Sequence, residues 1–500
     1  MKKLRLFLLA VLLLIALTVG LTYGSVSASL HGANGYACKW VCSEIFVTGL
    51  DPEQAVANLP DNPLIPLLRH EVDREQGLVT LSALGLFPRS AVFRQGFGCT
   101  SIPPGKDATD LTPVPDLAPV PDLEIMGPSS TVGTRLGSEP VEREPGPSDV
   151  VEAEATEADS AEAGAVQAGP LLDQDALDQD ALDQAIADAF DEPNPDLLKR
   201  TRAVLVVQHG EIVAERYADG IDVDTQLPGW SMTKSWINTL VGLAVHRGLV
   251  DIHKPLELDE WPEGDARRAI TLDQLLRMSS GLEFVEDYAD LDGDAVQMLF
   301  VGEDTGAFAL HKPLGHLPDA HWYYSSGTTN LIARALRDAF PSTEHYLRFP
   351  QQAFFEPVGM TGALIEPDPS GTLVGSSFGW ATARDWARFG LLYLQDGVWN
   401  GERLLPEGWV EYTATPTPKA PQGHYGAQFW LNAGEPDDPA DRSMPRVPAD
   451  LLMASGFSGQ HVIVAPSKNA VIVRLGLSYK PSTWDLETFL APILDALPDA

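Results

Sequence analysis

The stretch Pro228-Gly229-Trp230-Ser231-Met232-Thr233-Lys234 decides how this sequence is interpreted. Residues 228–230 have the composition of a turn, and residues 232–247 carry apolar side chains at helical spacing, which predicts a helix beginning near Ser231. The first turn of a helix has free backbone N–H groups and the positive end of the helix dipole. Lys234 lies three residues on and shares a face with Ser231, so its amine can approach the serine hydroxyl.

This pair of residues favours nucleophilic catalysis. A partly desolvated lysine near a helix N-terminus has a lowered pKa and can act as a base towards a serine hydroxyl. The Ser-x-x-Lys motif alone is weak evidence, because a serine that caps a helix followed by a solvated lysine gives the same sequence pattern. The position of the Ser231–Lys234 motif strengthens the catalytic interpretation. Residues 203–208 and 211–217 predict two strands around the His209-Gly210 turn, just before the motif.

Two further motifs could take part in the same chemistry. Tyr324-Ser325-Ser326-Gly327 precedes a predicted helix, and a tyrosine beside a catalytic lysine can relay a proton. Gly456-Phe457-Ser458-Gly459-Gln460 leads into a predicted strand, where backbone N–H groups could form an oxyanion hole with that of Ser231. Taken singly, each motif is explained equally well by a helix cap or a plain β-turn.

The order of predicted elements indicates the fold class. Strands are predicted at both ends of the C-terminal part, the last two at residues 460–465 and 470–475, and helices fill residues 271–396. We therefore predict an α/β (α+β) catalytic domain over residues 190–500. It would contain one antiparallel sheet flanked by helices, with an inserted helical subdomain.

The first 189 residues divide into three predicted parts. Residues 1–24 are an export segment, residues 30–102 a small ordered region, and residues 103–189 a disordered acidic linker. The linker contains no aromatic residue and holds 20 acidic side chains against 3 basic ones. Such a composition buries too little apolar surface to offset the entropy of ordering. One role for these parts would be to space the catalytic domain from a membrane.

The N-terminus places the protein outside the cytoplasm. Lys2, Lys3 and Arg5 precede an apolar run over residues 6–21, which is the pattern of an export signal. A cleaved signal and a retained transmembrane anchor both fit, and the length of the run slightly favours the anchor. The predicted location is periplasmic or cell-surface, with membrane attachment through this segment.

Cysteine usage and charge restrict the function further. Cys38, Cys42 and Cys99 follow the export segment, where a disulfide is permitted. We prefer the pair Cys42 and Cys99, and the other pairings stay open. No histidines accompany them at ligand spacing, so no metal site is expected. The net charge of −36 argues against nucleic-acid binding, which requires basic surfaces.

Together the three motifs resemble the serine β-lactamase and penicillin-binding protein superfamily. They look most like its class C β-lactamase-like branch, which includes esterases and 6-aminohexanoate-dimer hydrolases. Residues 270–282, 355–360 and 381–390 are similar to stretches typical of that branch, and the resemblance covers residues 200–480. It implies a β-lactamase/transpeptidase-like fold and a serine hydrolase of the esterase or amidase type.

The resemblance also implies residue roles and needs no metal or organic cofactor. Ser231 would attack a carbonyl and form an acyl-enzyme, Lys234 would accept the proton, and Tyr324 would assist as base and then acid. The oxyanion and substrate-binding residues would be Ser231, Gly459, Gln460 and Ser326, with the backbone N–H groups of Ser231 and Gln460 holding the oxyanion.

Two departures from the family pattern bear on the substrate. Ser326 stands where β-lactamases carry asparagine, and Phe457-Ser458-Gly459 stands where they carry Lys-Thr-Gly. Loss of that lysine removes a cation that engages a substrate carboxylate, and His424 or His461 would be the available substitutes. We therefore expect the substrate to be a small-molecule ester or amide without a required carboxylate.

Two alternatives to this function stay open. One is a β-lactamase or cell-wall D-amino-acid peptidase, and the other is a non-catalytic ligand-binding protein. Neither the substrate nor the oligomeric state follows from the sequence.

Overall fold

The structure, a computed structural model, describes Gly24 and residues 27–60, 65–117, 176–256, 258–435 and 437–500. The strands are β1 (Leu68–Asp73), β2 (Leu78–Ala83), β3 (Leu86–Arg94), β4 (Gly98–Ile102), β5 (Thr201–Gln208), β6 (Glu211–Tyr217), β7 (Leu227–Pro228), β8 (Leu364–Ile365), β9 (Gly379–Ala381), β10 (Val398–Trp399), β11 (Glu402–Arg403), β12 (Trp430–Leu431), β13 (Leu452–Gly456), β14 (Gln460–Ala465) and β15 (Ala470–Gly476). The helices are α1 (27–46), α2 (Pro52–Ala57), α3 (Gln179–Phe190), α4 (Thr233–His246), α5 (Leu272–Leu276), α6 (Asp294–Phe300), α7 (Thr305–Leu310), α8 (Ser326–Asp338), α9 (Thr343–Pro350), α10 (Glu356–Val358), α11 (Ala383–Leu394), α12 (Trp409–Ala414) and α13 (Leu486–Ala496).

A six-stranded antiparallel sheet forms the centre of the catalytic part, in the order β12-β13-β14-β15-β5-β6. Strands β5 and β6 come from the start of this part and β13 to β15 from its end, as the sequence predicts. Every residue of β5 and β15 is buried. Continuous apolar strands of this kind are stable only with helices on both faces of the sheet.

The helices provide those two layers. On one face α3 and α13 pack together, with Leu182, Ile186 and Leu490 against Ile463 and Ile472 of the sheet. On the other face lie α4 and α11, in the core shared with β14 and β15. The helices between β6 and β13 form the inserted helical region. The predicted α/β (α+β) fold with an antiparallel sheet flanked by helices is confirmed.

The N-terminal region packs directly against the catalytic part. Helix α1 lies beside the four-stranded sheet β1-β2-β3-β4. Val41 and Val79 from this region share one core with Phe300 and Trp380. Residues 44–46 are the end of α1. The two parts that the sequence separates are therefore joined by a common interior.

Polar links reinforce this contact. Lys39 of α1 forms an ion pair with Glu366, and both side chains are buried. Arg202 of β5 lies 3.1 Å from Glu44, and this pair is also buried. Cys42 and Cys99 form a disulfide, the pair preferred from the sequence, and Cys38 is a buried free thiol. The disulfide ties α1 to β4.

Both described ends of the predicted acidic linker are ordered, which corrects its boundaries. At the first end Leu111 is buried and the Thr112 N–H donates to the Pro369 carbonyl at 2.9 Å. At the second end α3 spans Gln179–Phe190, and its apolar face is buried on the sheet. Residues 118–175 of the predicted linker lie outside the described residues.

The predicted transmembrane helix is corrected. Within the part of the chain that the structure describes, no helix combines the length and the apolar character needed to cross a bilayer. The predicted export segment, residues 1–24, lies outside the described residues except for Gly24.

Candidate active site

Ser231 lies at the entrance to α4 in a strained turn. Residues Trp230–Met232 form a single 3₁₀ turn that continues into α4 at Thr233. Trp230 has φ +47°, a conformation that bulky side chains rarely adopt and that surrounding contacts must hold. Its indole ring stacks on Trp40 of α1 at 5.1 Å, so the N-terminal helix holds the residue preceding the serine.

The Lys234 amine contacts three oxygen atoms. Its Nζ lies 3.0 Å from Ser231 Oγ, 3.1 Å from Ser326 Oγ and 2.9 Å from the Ser376 carbonyl oxygen. An ammonium group would donate to all three, whereas a neutral amine can accept the Ser231 proton. Burial lowers the pKa of Lys234 to about 8, against a smaller raising effect of the Glu286 carboxylate. About a tenth of the lysine is therefore neutral at pH 7.

This pKa predicts the pH dependence of any reaction that uses Lys234 as a base. We expect kcat/KM to rise about tenfold per pH unit below about pH 8 and to level off above it, because only the neutral amine accepts a proton. Glu286→Gln removes a charge that stabilises the ammonium, so the rising limb should move to lower pH. Glu283→Gln, at an exposed carboxylate of the same loop, is the matched control and should leave it in place. A limb that stays fixed in Glu286→Gln would contradict this electrostatic assignment.

Tyr324 lies against the same lysine. The Lys234 Nζ is 4.8 Å from the centre of the Tyr324 ring. Burial raises the pKa of Tyr324, the Glu286 carboxylate raises it further, and a hydrogen bond with Ser231 lowers it. The net shift is upward, so the phenol is protonated at neutral pH and is a proton donor. Its ring packs at 5.2 Å from Trp430 and 5.9 Å from Tyr425.

Ser326 connects the lysine to a carboxylate that sequence reasoning missed. Its Oγ lies 2.5 Å from Glu286 Oε1, and its backbone N–H donates to Glu286 Oε2 at 2.7 Å. The Tyr288 hydroxyl is 3.1 Å from the same Oγ. Ser326 is fully buried, so it positions the lysine and Glu286 rather than presenting a surface to a ligand.

An apolar cavity of about 300 Å³ adjoins Ser231. One wall comes from the N-terminal region and the other from Trp230, Phe300 and Phe457. None of the described residues that line it carries a charge. A larger cleft of about 860 Å³, lined by Val245 and Tyr412 among others, holds none of the candidate catalytic residues.

A sequence profile described as Beta-lactamase matches residues 196–482, more than half of the chain. The chain belongs to the Beta-lactamase family. This confirms the resemblance to the serine β-lactamase and penicillin-binding protein superfamily.

One curated protein and one solved structure show what this chain is similar to. The 6-aminohexanoate-dimer hydrolase of Paenarthrobacter ureafaciens is 26% identical over 340 residues, covering 59% of this chain and 79% of that protein. The solved structure of EstCE1, described as a hydrolase with promiscuous acyltransferase activity, is 14% identical with a TM-score of 0.50. It covers 64% of this chain and 98% of that one, and at this identity it supports the fold alone.

The strand beside the nucleophile in this Beta-lactamase family member differs from the one expected. Strand β13 ends at Gly456, where an added Cβ would lie 2.1 Å from the Gly229 carbonyl oxygen. Ala454-Ser455-Gly456 therefore occupies the strand edge next to Ser231, in the place expected for Phe457-Ser458-Gly459. Phe457 follows it, and its ring lies 5.7 Å from that of Trp230. The next two residues form the turn, with φ +65° at Ser458 and +79° at Gly459.

Gly459 and Gln460 face away from the cavity. An added Cβ on Gly459 would lie 2.2 Å from the Arg474 guanidinium, which also donates to the Gly459 carbonyl at 2.7 Å. The Gln460 side-chain amide donates to the Gly476 carbonyl at 2.5 Å and accepts from the Gly476 N–H at 2.9 Å. Neither residue lines the cavity that Ser231 and Phe457 share. The structure thus favours the backbone N–H of Phe457 over that of Gln460 as the second oxyanion-hole donor beside Ser231.

The two histidines do not supply the missing cation. Burial, with the charge of Arg474, lowers the pKa of His461 to about 3, and its ring lies 3.1 Å from Ser455 Oγ. His424 packs at 5.1 Å from Trp322, and burial lowers its pKa as well. Both are neutral at pH 7; His461 is buried and His424 is half-buried.

Proposed function

We propose that this protein is a serine hydrolase that forms an acyl-enzyme on Ser231 and acts on a carboxylic ester or amide. The observation that carries the proposal is the Lys234 amine, buried with a lowered pKa and 3.0 Å from Ser231 Oγ. A buried lysine is unfavourable unless it is paired or used, and this one points at a nucleophile rather than forming an ion pair of its own. The named activity of the Paenarthrobacter relative, hydrolysis of a 6-aminohexanoate dimer, agrees with this class.

The proposed reaction begins with Ser231. Its Oγ bonds to the substrate carbonyl carbon while its proton passes to Lys234, and the carbonyl electrons move to oxygen. The backbone N–H groups of Ser231 and Phe457 would stabilise this oxyanion. The bond to the leaving group then breaks, and Tyr324 donates a proton to the departing oxygen or nitrogen. Water then attacks the ester of Ser231 and gives a proton to the Tyr324 phenolate. The bond from the acyl carbon to Ser231 Oγ breaks, Lys234 returns its proton to that oxygen, and the carboxylic acid leaves.

The same site argues against β-lactamase and cell-wall peptidase activity. Ala454 occupies the strand-edge position expected for the lysine that engages a substrate carboxylate, and it is buried. Arg474 of β15 is fully buried and donates to the Ser458, Gly459 and Lys199 carbonyls. A substrate carboxylate would therefore be desolvated without an ionic partner, which is unfavourable.

A substrate comparison tests this proposal. We expect kcat/KM for p-nitrophenyl butyrate to exceed that for the β-lactam nitrocefin at least about 100-fold, since a charge-assisted hydrogen bond contributes about 3 kcal/mol. Both rates are measured by absorbance with the full-length protein and with Ser231→Ala as background. Nitrocefin turnover equal to or above ester turnover would overturn the assignment in favour of a β-lactamase.

We also propose that the protein is exported. The disulfide between Cys42 and Cys99 supports this, because such bonds persist in oxidising compartments and are rare in the cytosol.

A further inference from the structure

The N-terminal region builds one wall of the cavity beside Ser231. Helix α1 contributes Leu30, Ala33 and Ala37. Leu59, which follows α2, and Leu68, the first residue of β1, belong to the same wall. The opposite wall is Trp230, Val296 and Phe300 of the catalytic part. The family profile begins only at residue 196, so this wall lies outside the matched segment.

The cavity is a built feature of the fold. Trp230 is held between α1 and Phe457, and Tyr36 packs at 5.1 Å from Phe300. The buried pair Lys39–Glu366 fixes α1 to the catalytic part behind these rings. Since these contacts hold α1, Trp230 and Phe300 in place, the space beside Ser231 has a defined shape. Pockets that bind small molecules are of this kind, about 300 Å³ or more and lined by apolar side chains.

The position of Tyr324 indicates which part of the substrate enters. Tyr324 is the proposed donor to the leaving group, and its ring packs on those of Tyr425 and Trp430. Neither Tyr324 nor Lys234 lines the apolar cavity. The leaving group therefore lies on the Tyr324 side of Ser231, and the acyl group lies in the cavity.

We propose that this cavity is an acyl pocket for an unbranched, uncharged hydrocarbon chain, and that α1 determines its length. This inference rests on the function proposed above. The described residues of the lining carry no charge that could pair with an ionised acyl group, whereas burial of methylene groups is favourable. An apolar cavity of about 150 Å³ accommodates benzene, so 300 Å³ holds an acyl chain of about six to ten carbons.

A series of p-nitrophenyl esters tests the pocket. With the full-length protein we expect kcat/KM to rise about threefold per methylene from acetate towards octanoate and to fall for palmitate, all below their critical micelle concentrations. Ala33→Phe fills the pocket from α1 and should lower the octanoate-to-acetate ratio at least about tenfold. Ala57→Phe, at an exposed alanine of α2 outside the cavity, is the matched control and should leave that ratio unchanged.

The outcomes separate the pocket from the reaction. Ser231-dependent hydrolysis that is fastest for acetate, or a ratio unaltered in Ala33→Phe, would overturn the pocket and leave the hydrolase standing. If no ester of the series is hydrolysed in a Ser231-dependent way, the proposed function fails and the pocket assignment fails with it. Should Ala33→Phe not fold, Ala83→Phe on β2 fills the same cavity from another element and gives the same test.

Discussion

Ser231→Ala and Lys234→Met are each expected to lower kcat/KM for p-nitrophenyl butyrate by about 10⁴ or more. The first removes the nucleophile, and the second removes the base that lies 3.0 Å from it. Because the two side chains act in one step, the double variant should lose no more activity than either single variant. Initial rates of p-nitrophenol release with each purified variant measure this directly.

Lys254→Met is the control for this set. Lys254 is exposed, with 77% of its side chain accessible, and it pairs with Asp251 on the surface. Its replacement should leave the rate unchanged, and circular dichroism checks that every variant is folded. A Lys234→Met variant that keeps a tenth of the activity would show that another group takes the proton. Losses that multiply in the double variant would show that the two residues act independently.

Lys39→Met is expected to lower the free energy of unfolding by about 3 to 5 kcal/mol, because it leaves the buried Glu366 carboxylate without its cation. Glu366 is fully buried and also accepts from Ser43 Oγ at 2.7 Å, the Cys99 N–H at 2.6 Å and Trp380 Nε1 at 2.8 Å. These neutral donors stay in place but do not balance the charge. Urea unfolding followed by tryptophan fluorescence measures the change.

Lys106→Met provides the comparison at an exposed pair. Lys106 lies 2.5 Å from Glu303 and, like Lys39, joins the N-terminal region to the catalytic part, but 39% of its side chain is accessible. Solvated pairs contribute about 1 kcal/mol or less, so this variant should unfold close to the parent protein. Equal effects of the two substitutions would contradict the view that the buried pair anchors α1.

The sequence predicts the central fold well because its signals are local. The hairpins β5–β6 and β14–β15 each carry apolar runs around a turn, and their observed bounds differ from prediction by at most two residues. Helix α4 is likewise marked by its apolar face. Helix α1 was missed, because burial on all sides removes the polar face that makes a helix recognisable, and contact with the catalytic part is a tertiary property.

The candidate site could be predicted only in part, because some of its residues are brought together by tertiary contacts that leave no local sequence signal. Ser231, Lys234 and Tyr324 lie in motifs, and the structure brings them together. Glu286 lies in a loop without a motif, and only the fold brings it to Ser326. From the sequence, the strand-edge motif is predicted at Phe457-Ser458-Gly459, three residues too late. The amino-acid sequence does not show that β13 already ends at Gly456. Phe457 could be identified only once the strand was seen beside Ser231.

The most direct test of the account is the identity of the side chain that reacts as the nucleophile. Intact mass spectrometry after incubation with an alkyl p-nitrophenyl phosphonate, followed by peptide mapping, reports the modified side chain. We predict one adduct per chain, located on Ser231, absent from Ser231→Ala and formed more slowly by Lys234→Met. An adduct on another residue, or none while ester hydrolysis is intact, would contradict the assignment of Ser231 as the nucleophile.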